Sequence, residues 1–379
     1  MISRSFASVL CASAAVLLTV STPSSATEKA DTVYLNGKVY TADANDAVVQ
    51  GFAVSGNHFL AVGNNADIRK FIGKGTRVVD LKGHFVSPGL TDDHFHNEGG
   101  GTGMDLSHVR SIAELLTVVA NTVAAAPPGS LLTSNSDWHE AQLKEQRLPT
   151  AKELDQAAPN NPVVLLRGGH SYILNDVALK KFNITKDTPV PAGGAISRDT
   201  VGDLTGELFD NAKPLVKLPP EKPLTMDDIV ATQKAVNVYG MTALRIPGAY
   251  KGDMLDALKL WKQADAAHTL TVRYTVYMPG FTFRSPAQVD KAIAQWGVKQ
   301  DEGDDFVRIG GIKLIVDGGF EGGHISRPYQ EPYGKGGTYS GLTVVPPEQY
   351  NAVVQEINRR GWRATTHAVG DAAMDQVIT

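Results

Sequence analysis

Cysteine is nearly absent from this chain of 379 residues: the only one, Cys11, falls among the first 26 positions. A disulfide framework is therefore excluded, and any metal ion must be held by nitrogen and oxygen donors. Basic blocks are absent too, because 36 Lys and Arg are offset by 40 Asp and Glu for a formal charge of −4. That balance lacks the electrostatic footprint of a nucleic-acid binder, so no nucleic acid is expected and a small molecule is the expected partner. No internal repeat is visible. What is present, 42% hydrophobic and 20% charged residues, is the composition of a globular chain long enough for one barrel with additions.

The first 26 residues carry one charge, Arg4, and residues 6–20 are almost wholly apolar or small. This stretch is short for a bilayer span, and Ser24-Ser25-Ala26 offers the small residues that a signal peptidase reads. Residues 1–26 are expected to be a secretory signal. The protein is then exported, periplasmic or secreted, with no stable membrane anchor after signal removal; a retained anchor is the alternative. Ser8-Val9-Leu10 ahead of Cys11 does not fit the small-residue pattern before a lipidated cysteine.

Residues 27–86 read as a small β module, with short strands at 32–35, 52–54, 59–63 and 77–83, and a helix near 67–72. Asn36-Gly37 and Gly56-Asn57 between apolar runs are hairpin chemistry. Downstream, strand candidates at 131–133, 163–166, 241–244, 270–277, 312–316 and 362–366 alternate with helical stretches such as 226–239 and 347–360. Such alternation predicts an α/β fold with parallel strands covered by helices; a barrel fits, and pattern alone does not separate it from a doubly wound sheet. Residues 183–223, rich in Pro, Gly and Asp, are expected to form an irregular loop.

Three segments carry candidate chemistry. Val86-Ser87-Pro88-Gly89-Leu90-Thr91-Asp92-Asp93-His94-Phe95-His96 ends an apolar strand in two imidazoles spaced one residue apart. Residues i and i+2 of a strand share a face, so His94 and His96 can point at one ion while Phe95 packs the other way. Chance proximity is the plain alternative for an isolated pair. Lys313 sits in the otherwise apolar Gly310-Gly311-Ile312-Lys313-Leu314-Ile315-Val316, where a charged amine is costly unless a carboxylate pairs with it or its chemistry changes. His367 ends a further strand, in Ala364-Thr365-Thr366-His367-Ala368-Val369-Gly370-Asp371. In a barrel, carboxyl ends of strands are where chemistry collects.

With Leu148-Pro149-Thr150 before Glu153-Leu154, Arg167-Gly168-Gly169-His170 and Asp317-Gly318, these segments resemble, in this order, the amidohydrolase superfamily. Within it they are similar to the amidohydrolase family 3 branch, which includes N-substituted formamide deformylases. The likeness runs from about residue 32 to Thr379. It implies a (β/α)8 TIM-like barrel of the metal-dependent hydrolase type over 87–379, incomplete here with about five barrel strands, preceded by the N-terminal part of a composite β-sandwich over 27–86. His94 and His96 would belong to barrel strand 1, Lys313 to strand 4 and His367 to strand 5. Only two strands fit between strands 1 and 4, so those near 131 and 163 are assigned to an inserted subdomain, about 100–225. Trp138, His170 and Glu207 in that subdomain are candidate substrate contacts, with packing roles as the alternative.

The resemblance further implies two divalent cations, zinc foremost, held by His94, His96 and His367 and bridged by Lys313 as a carboxylated lysine. A hydroxide between them would hydrolyse a small amide or formamide-type C–N bond other than a peptide bond. The family pattern continues with a histidine on strand 6 and a general-base aspartate on strand 8. Neither occurs before Thr379, so no catalytic residue is expected within this chain and the chain alone is expected to be inactive. Leu244-Arg245-Ile246-Pro247 and Gly319-Phe320-Glu321-Gly322-Gly323 depart from the family's usual residues. A mononuclear deaminase or cyclic amidase is one alternative; an exported, non-catalytic metal or ligand binder is another. Open edges on a five-stranded barrel would favour self-association, which makes a homo-oligomer a further expectation.

Overall fold

The computed structural model describes residues 28–97, 101–220, 222–249, 252–320, 322–330, 334 and 336–379. The expected signal segment, Cys11 included, lies outside them, as does Glu321. Among the described residues no helix is long and apolar enough to cross a membrane. The chain divides into two units with the boundary after Pro88.

In the first unit, β1 (Thr32–Leu35), β4 (Gly51–Ser55), β5 (His58–Gly63) and β6 (Arg77–Asp80) form a sheet ordered β5-β4-β1-β6, and β2 (Lys38–Tyr40), β3 (Val48–Val49) and β7 (Phe85–Val86) form a second, ordered β3-β2-β7. Gly56 makes the hairpin between β4 and β5 with φ +57. Asn36-Gly37, also read as a hairpin turn, instead passes the chain from one sheet to the other. Alternation along β1 buries Val33 and Leu35 against Ala53 and against Ile68 of the short helix α1 (Asn65–Ile68).

The second unit is built on five parallel strands, β8 (Leu90–Asp92), β14 (Met241–Pro247), β15 (Arg273–Pro279), β16 (Val307–Ile315) and β17 (Ala364–His367), which neighbour one another in chain order. A doubly wound sheet would reverse strand order part-way; sequential order is that of a barrel wall. The fold class is thus the expected one, a curled half of a TIM-like barrel. Helices α5 (Met226–Asn237), α6 (Met254–Ala266), α7 (Pro286–Trp296) and α8 (Pro347–Arg359) return the chain between strands, and α9 (Asp371–Ile378) follows β17. Asp253 starts α6 by accepting from the Leu255 and Asp256 amides. The spacing of Ala257, Leu258, Trp261 and Ala264 then turns one stripe of that helix inward. Trp261 stacks on Tyr274 of β15 with centroids 5.0 Å apart, and both are essentially fully buried. Burying one such large apolar side chain stabilises the fold by roughly 1.5–3 kcal/mol.

Between β8 and α5 lies a separate five-stranded sheet, ordered β12-β13-β11-β10-β9, from β9 (Leu132–Thr133), β10 (Val163–Arg167), β11 (Ser171–Leu174), β12 (Gly194–Arg198) and β13 (Leu204–Asp210). Helices α2 (Ile112–Ala125), α3 (Ala151–Ala157) and α4 (Asp176–Lys181) accompany it. The loop expected over 183–223 is therefore corrected: it contains the β12–β13 hairpin, with Gly206, Leu208 and Asp210 on its buried face. Residues 199–203 of that stretch, Asp-Thr-Val-Gly-Asp, are its turn, where Asp199 accepts from the Val201 and Asp203 amides.

Strand β16 begins five residues earlier than the expected 312. Its glycines form a bulge: Ile309 pairs with Val276 and Gly311 with Tyr277, so Gly310 is one residue in excess. Beyond it the alternation changes phase. Val307, Ile309, Ile312 and Leu314 all join the apolar cluster of Leu258 and Trp261, while Lys313 lines the cavity on the other face.

Helix α3 is held at its start by a reciprocal cap between Thr150 and Glu153, and Glu153 also pairs with Arg147 at 2.7 Å. The Arg147 guanidinium holds the Glu153 carboxyl down at about 2. A lowered folded-state value means that this stabilisation is complete above the unfolded carboxyl's ordinary range and is lost as pH falls toward 2. Glu153→Gln is expected to flatten the fall of stability with acid across that window, measured by urea titrations at a series of pH values. An unchanged slope would show that the pair contributes nothing.

Candidate active site

The carboxyl ends of the parallel strands open into a cavity of about 460 Å³ lined by His94, His96, His170, Asp210, Lys213, Lys313 and His367, among others. The first two arrive differently from expectation. Strand pairing stops at Asp92, so His94 and His96 lie past the end of β8 rather than within it. The extended course continues because the Phe95 amide donates to the Arg245 carbonyl at 2.9 Å, burying Phe95 and leaving the imidazoles on the cavity side, centroids 5.1 Å apart.

His96 Nδ1 lies 3.1 Å from the Ala249 carbonyl and His367 Nε2 lies 3.1 Å from the Gly318 carbonyl. A carbonyl only accepts, so each of those nitrogens carries the proton. The other nitrogen of each ring, Nε2 of His96 and Nδ1 of His367, keeps its lone pair. Burial also favours the neutral rings: it is the leading cause that lowers His94 to about 4 and pulls His96 and His367 down as well.

Lys313 is 4% exposed, and among the described residues no carboxylate lies within ion-pair distance of it. Burial alone lowers its ammonium to about 8. Gly248, just past β14, makes room for this side chain: at φ +78, a Cβ there would stand 2.8 Å from Lys313 Cβ. Asp317, fully buried two residues past β16, accepts from the amides of His324, Val369 and Gly370 at 2.8–3.1 Å. It thereby fixes the segment that follows His367.

From the inserted subdomain, His170 stacks on His367 with centroids 4.8 Å apart, and its Nδ1 lies 2.6 Å from Asp210 Oδ1. The other oxygen, Asp210 Oδ2, is buried with no hydrogen-bond partner. Asp210 was missed in the sequence; its only signal was position at the end of β13, in a stretch taken for loop. Trp138 lines a neighbouring cavity of about 410 Å³ that shares His170 and His367 with the first, and its indole N–H donates to the Leu166 carbonyl at 2.6 Å. Glu207 lines neither of these two cavities: alternation along β13 turns it away from Asp210's face, where Ser197 and Ser171 donate to it at 3.2 and 3.5 Å. At the second cavity, Arg167 and Glu140 form a fully buried pair, Nη2 to Oε1 2.6 Å, with His139 Nε2 2.8 Å from the same guanidinium nitrogen.

Among the described residues no three His, Asp or Glu side chains converge as a ready-made metal cluster. The donor chemistry nonetheless fits divalent cations: two rings with an assigned free lone pair, a third imidazole, and a buried amine without a counter-charge share one cavity.

Residues 77–379 match the model of the amidohydrolase family, in its family 3 form. The chain belongs to that family. Among its relatives, Protein LONG AFTER FAR-RED 3 of Arabidopsis thaliana is 29% identical over 371 residues, 92% of this chain and 60% of that protein. The N-substituted formamide deformylase of Arthrobacter pascens is 26% identical over 365 residues, 93% of this chain and 66% of that one. An uncharacterized metal-dependent hydrolase from Pyrococcus furiosus superimposes with a TM-score of 0.58 at 26% identity, covering 92% of this chain and 69% of its own. This amidohydrolase-family chain therefore spans less than two thirds of the length of the two curated relatives named.

Gly248→Ala is expected to cost this amidohydrolase chain about 1–3 kcal/mol, because the methyl group meets Lys313 and the residue is held at positive φ. Denaturant titration measures it. A loss below a few tenths would mean that the strand end and Lys313 shift freely.

Proposed function

We propose that the chain carries the first half of the active site of a metal-dependent hydrolase acting on the C–N bond of a small amide or formamide. One observation carries the reading: Lys313, an amine 4% exposed and unpaired among the described carboxylates, shares its cavity with His94, His96 and His367. A buried amine lowered toward neutrality is a nucleophile for carbon dioxide. As a carbamate it becomes an anionic oxygen donor able to bridge two cations, which turns the cost of burying an ammonium into a coordinating group. His94 and His96 would hold one cation and His367 would help hold the other. When bound, divalent cations supply Lewis acidity toward the amide carbonyl and activate water near neutral pH.

The chain's own contribution is positional. The Ala249 and Gly318 carbonyls orient the His96 and His367 rings, the backbone amides on Asp317 steady the turn behind His367, and the inserted subdomain lends His170 and Asp210 to the cavity wall. The general-base carboxylate that the family pattern implies belongs, in this reading, to a further barrel strand of a longer protein. The formamide deformylase among the relatives supports the C–N bond as the target.

The decisive experiment expresses the protein with any in-frame continuation of its coding sequence and measures bound metal, amide hydrolysis and the 13C signal of a carbamate under labelled carbon dioxide. Lys313→Ala is expected to lose the carbamate signal, most of the metal and at least about a hundredfold in rate, with partial rescue by a short carboxylic acid. Unchanged metal content and rate in that variant would overturn the bridging role. One metal per chain without a carbamate signal would favour a mononuclear site.

A further inference from the structure

His170 is held by the same device as His96 and His367. Those two rings each give one N–H to a backbone carbonyl, of Ala249 and Gly318, and His170 turns its Nδ1 to Asp210 Oδ1 at 2.6 Å. A carboxylate accepts, so Nδ1 of His170 carries the proton and Nε2 keeps its lone pair. Among the described residues no hydrogen bond reaches that Nε2, and the side chain, 23% exposed, lines both cavities. A neutral ring whose other N–H is fixed by a carboxylate is the usual construction of a metal-binding histidine.

The seat of the ring is as specific as its tautomer. His170 stacks on His367 with centroids 4.8 Å apart and planes 28° from parallel. The proton-bearing nitrogens of both rings are turned toward Gly318: its carbonyl accepts from His367 Nε2, and a Cβ on it would collide with Asp210 Oδ2. The two lone-pair nitrogens therefore leave by the opposite edge, side by side. A Cβ at Gly319 would stand 2.7 Å from His170 Cγ, so the ring fills the space that a side chain there would take. Position 319 is among those that depart from the family's usual residues, which ties this seat to this chain. Asp210 adds an independent reason. Its Oδ2 is buried without a hydrogen bond, and Lys213, near enough for the two charges to interact, forms no ion pair with it among the described residues. A buried carboxylate so placed is costly unless further positive charge stands behind the group it holds, and a cation on His170 Nε2 supplies that charge through the ring.

We infer that His170 is a further metal ligand, supplied by the inserted subdomain: its Nε2 takes a divalent cation held beside His367, and Asp210 is the positioning residue that keeps this nitrogen free of a proton. The inference rests on the reading of the cavity as a metal site and adds to it a ligand from outside the barrel. The cation then joins the subdomain to the rim of the parallel strands.

The test uses the protein with any in-frame continuation, stripped of metal and titrated with cobalt(II), whose visible absorption reports its donor set, and with zinc(II) against a chromophoric chelator. His170→Ala is expected to bind both ions at least about tenfold more weakly, with an altered cobalt spectrum, and to recover in part with added imidazole. Thermal melts in chelator report folding, and melts with zinc show the stabilisation by metal shrinking in the variant. Asp210→Asn gives a second route that keeps the ring: its amide donates to Nδ1, moves the proton to Nε2 and weakens binding similarly, with 15N–1H spectra in chelator reporting the tautomer of each form. An unchanged affinity and cobalt spectrum in His170→Ala, a loss of affinity with neither spectral change nor rescue, full affinity in an Asp210→Asn protein whose tautomer has switched, or no metal bound at all would overturn the ligand. The hydrolase reading fails separately: metal that depends on His170 without a carbamate on Lys313 or amide hydrolysis loses that reading and keeps the ligand, while metal and carbamate that survive His170→Ala do the reverse.

Discussion

All five strands of the central sheet run the same way, and most of the site's construction follows from that constraint. Parallel neighbours need a crossover between them, and each crossover here includes a helix, so every strand delivers its carboxyl end to the same rim. His94 and His96 leave β8 there, Gly248 leaves β14, Lys313 nears the end of β16 and His367 closes β17. The inserted subdomain leaves the chain after β8 and rejoins it before α5, so it also starts from this rim and its residues become the cavity's far wall. Chemistry spread over more than 270 positions is gathered by strand direction before any side-chain contact is made.

Two ways of burying charge stand close together. Arg167 and Glu140 are 4% and 5% exposed and satisfy each other through paired contacts, a matched arrangement whose rupture by removing one partner costs about 3–5 kcal/mol. Its effect is rigidity, fixing the end of β10 and the neighbouring His139. Lys313 is as deeply buried and has no such partner among the described residues. One arrangement closes its electrostatics within the protein. The other leaves them open to whatever enters the cavity, and that contrast separates scaffold from site more sharply than depth of burial does.

The barrel strands were legible because each is a short apolar run between helical stretches, and periodicity reports that locally. Lys313 was legible for the opposite reason, as a charged residue in an otherwise apolar strand segment where a mismatch is conspicuous, and His94 and His367 as imidazoles at the ends of strand candidates. Asp210 and Lys213 were not, because one ends and the other follows a hairpin whose turn is written in the same Gly and Asp residues as an irregular loop. The Asn36-Gly37 pair marked a turn correctly but said nothing about whether the strands beside it would pair. The stacking of His170 on His367 depends on a subdomain folding onto a barrel, a relation without a sequence period.

Strand β16 carries one residue too many, and the two glycines at its middle absorb it. A Cβ at Gly310 would come within 2.7 Å of Thr275, and one at Gly311 would run into the Arg363 backbone, so the excess is accommodated only where side chains are missing. The extra residue works as a parity switch. Upstream of it odd-numbered residues serve the helix layer, and downstream even-numbered ones do, which hands Lys313 to the cavity. A strand of identical composition but one residue shorter would keep its hydrogen-bond ladder and its apolar content while presenting an ammonium to Trp261 and a leucine to the histidines. In this half-barrel the identity of the lysine and the length of its strand are therefore a single specification, and neither has chemical meaning without the other.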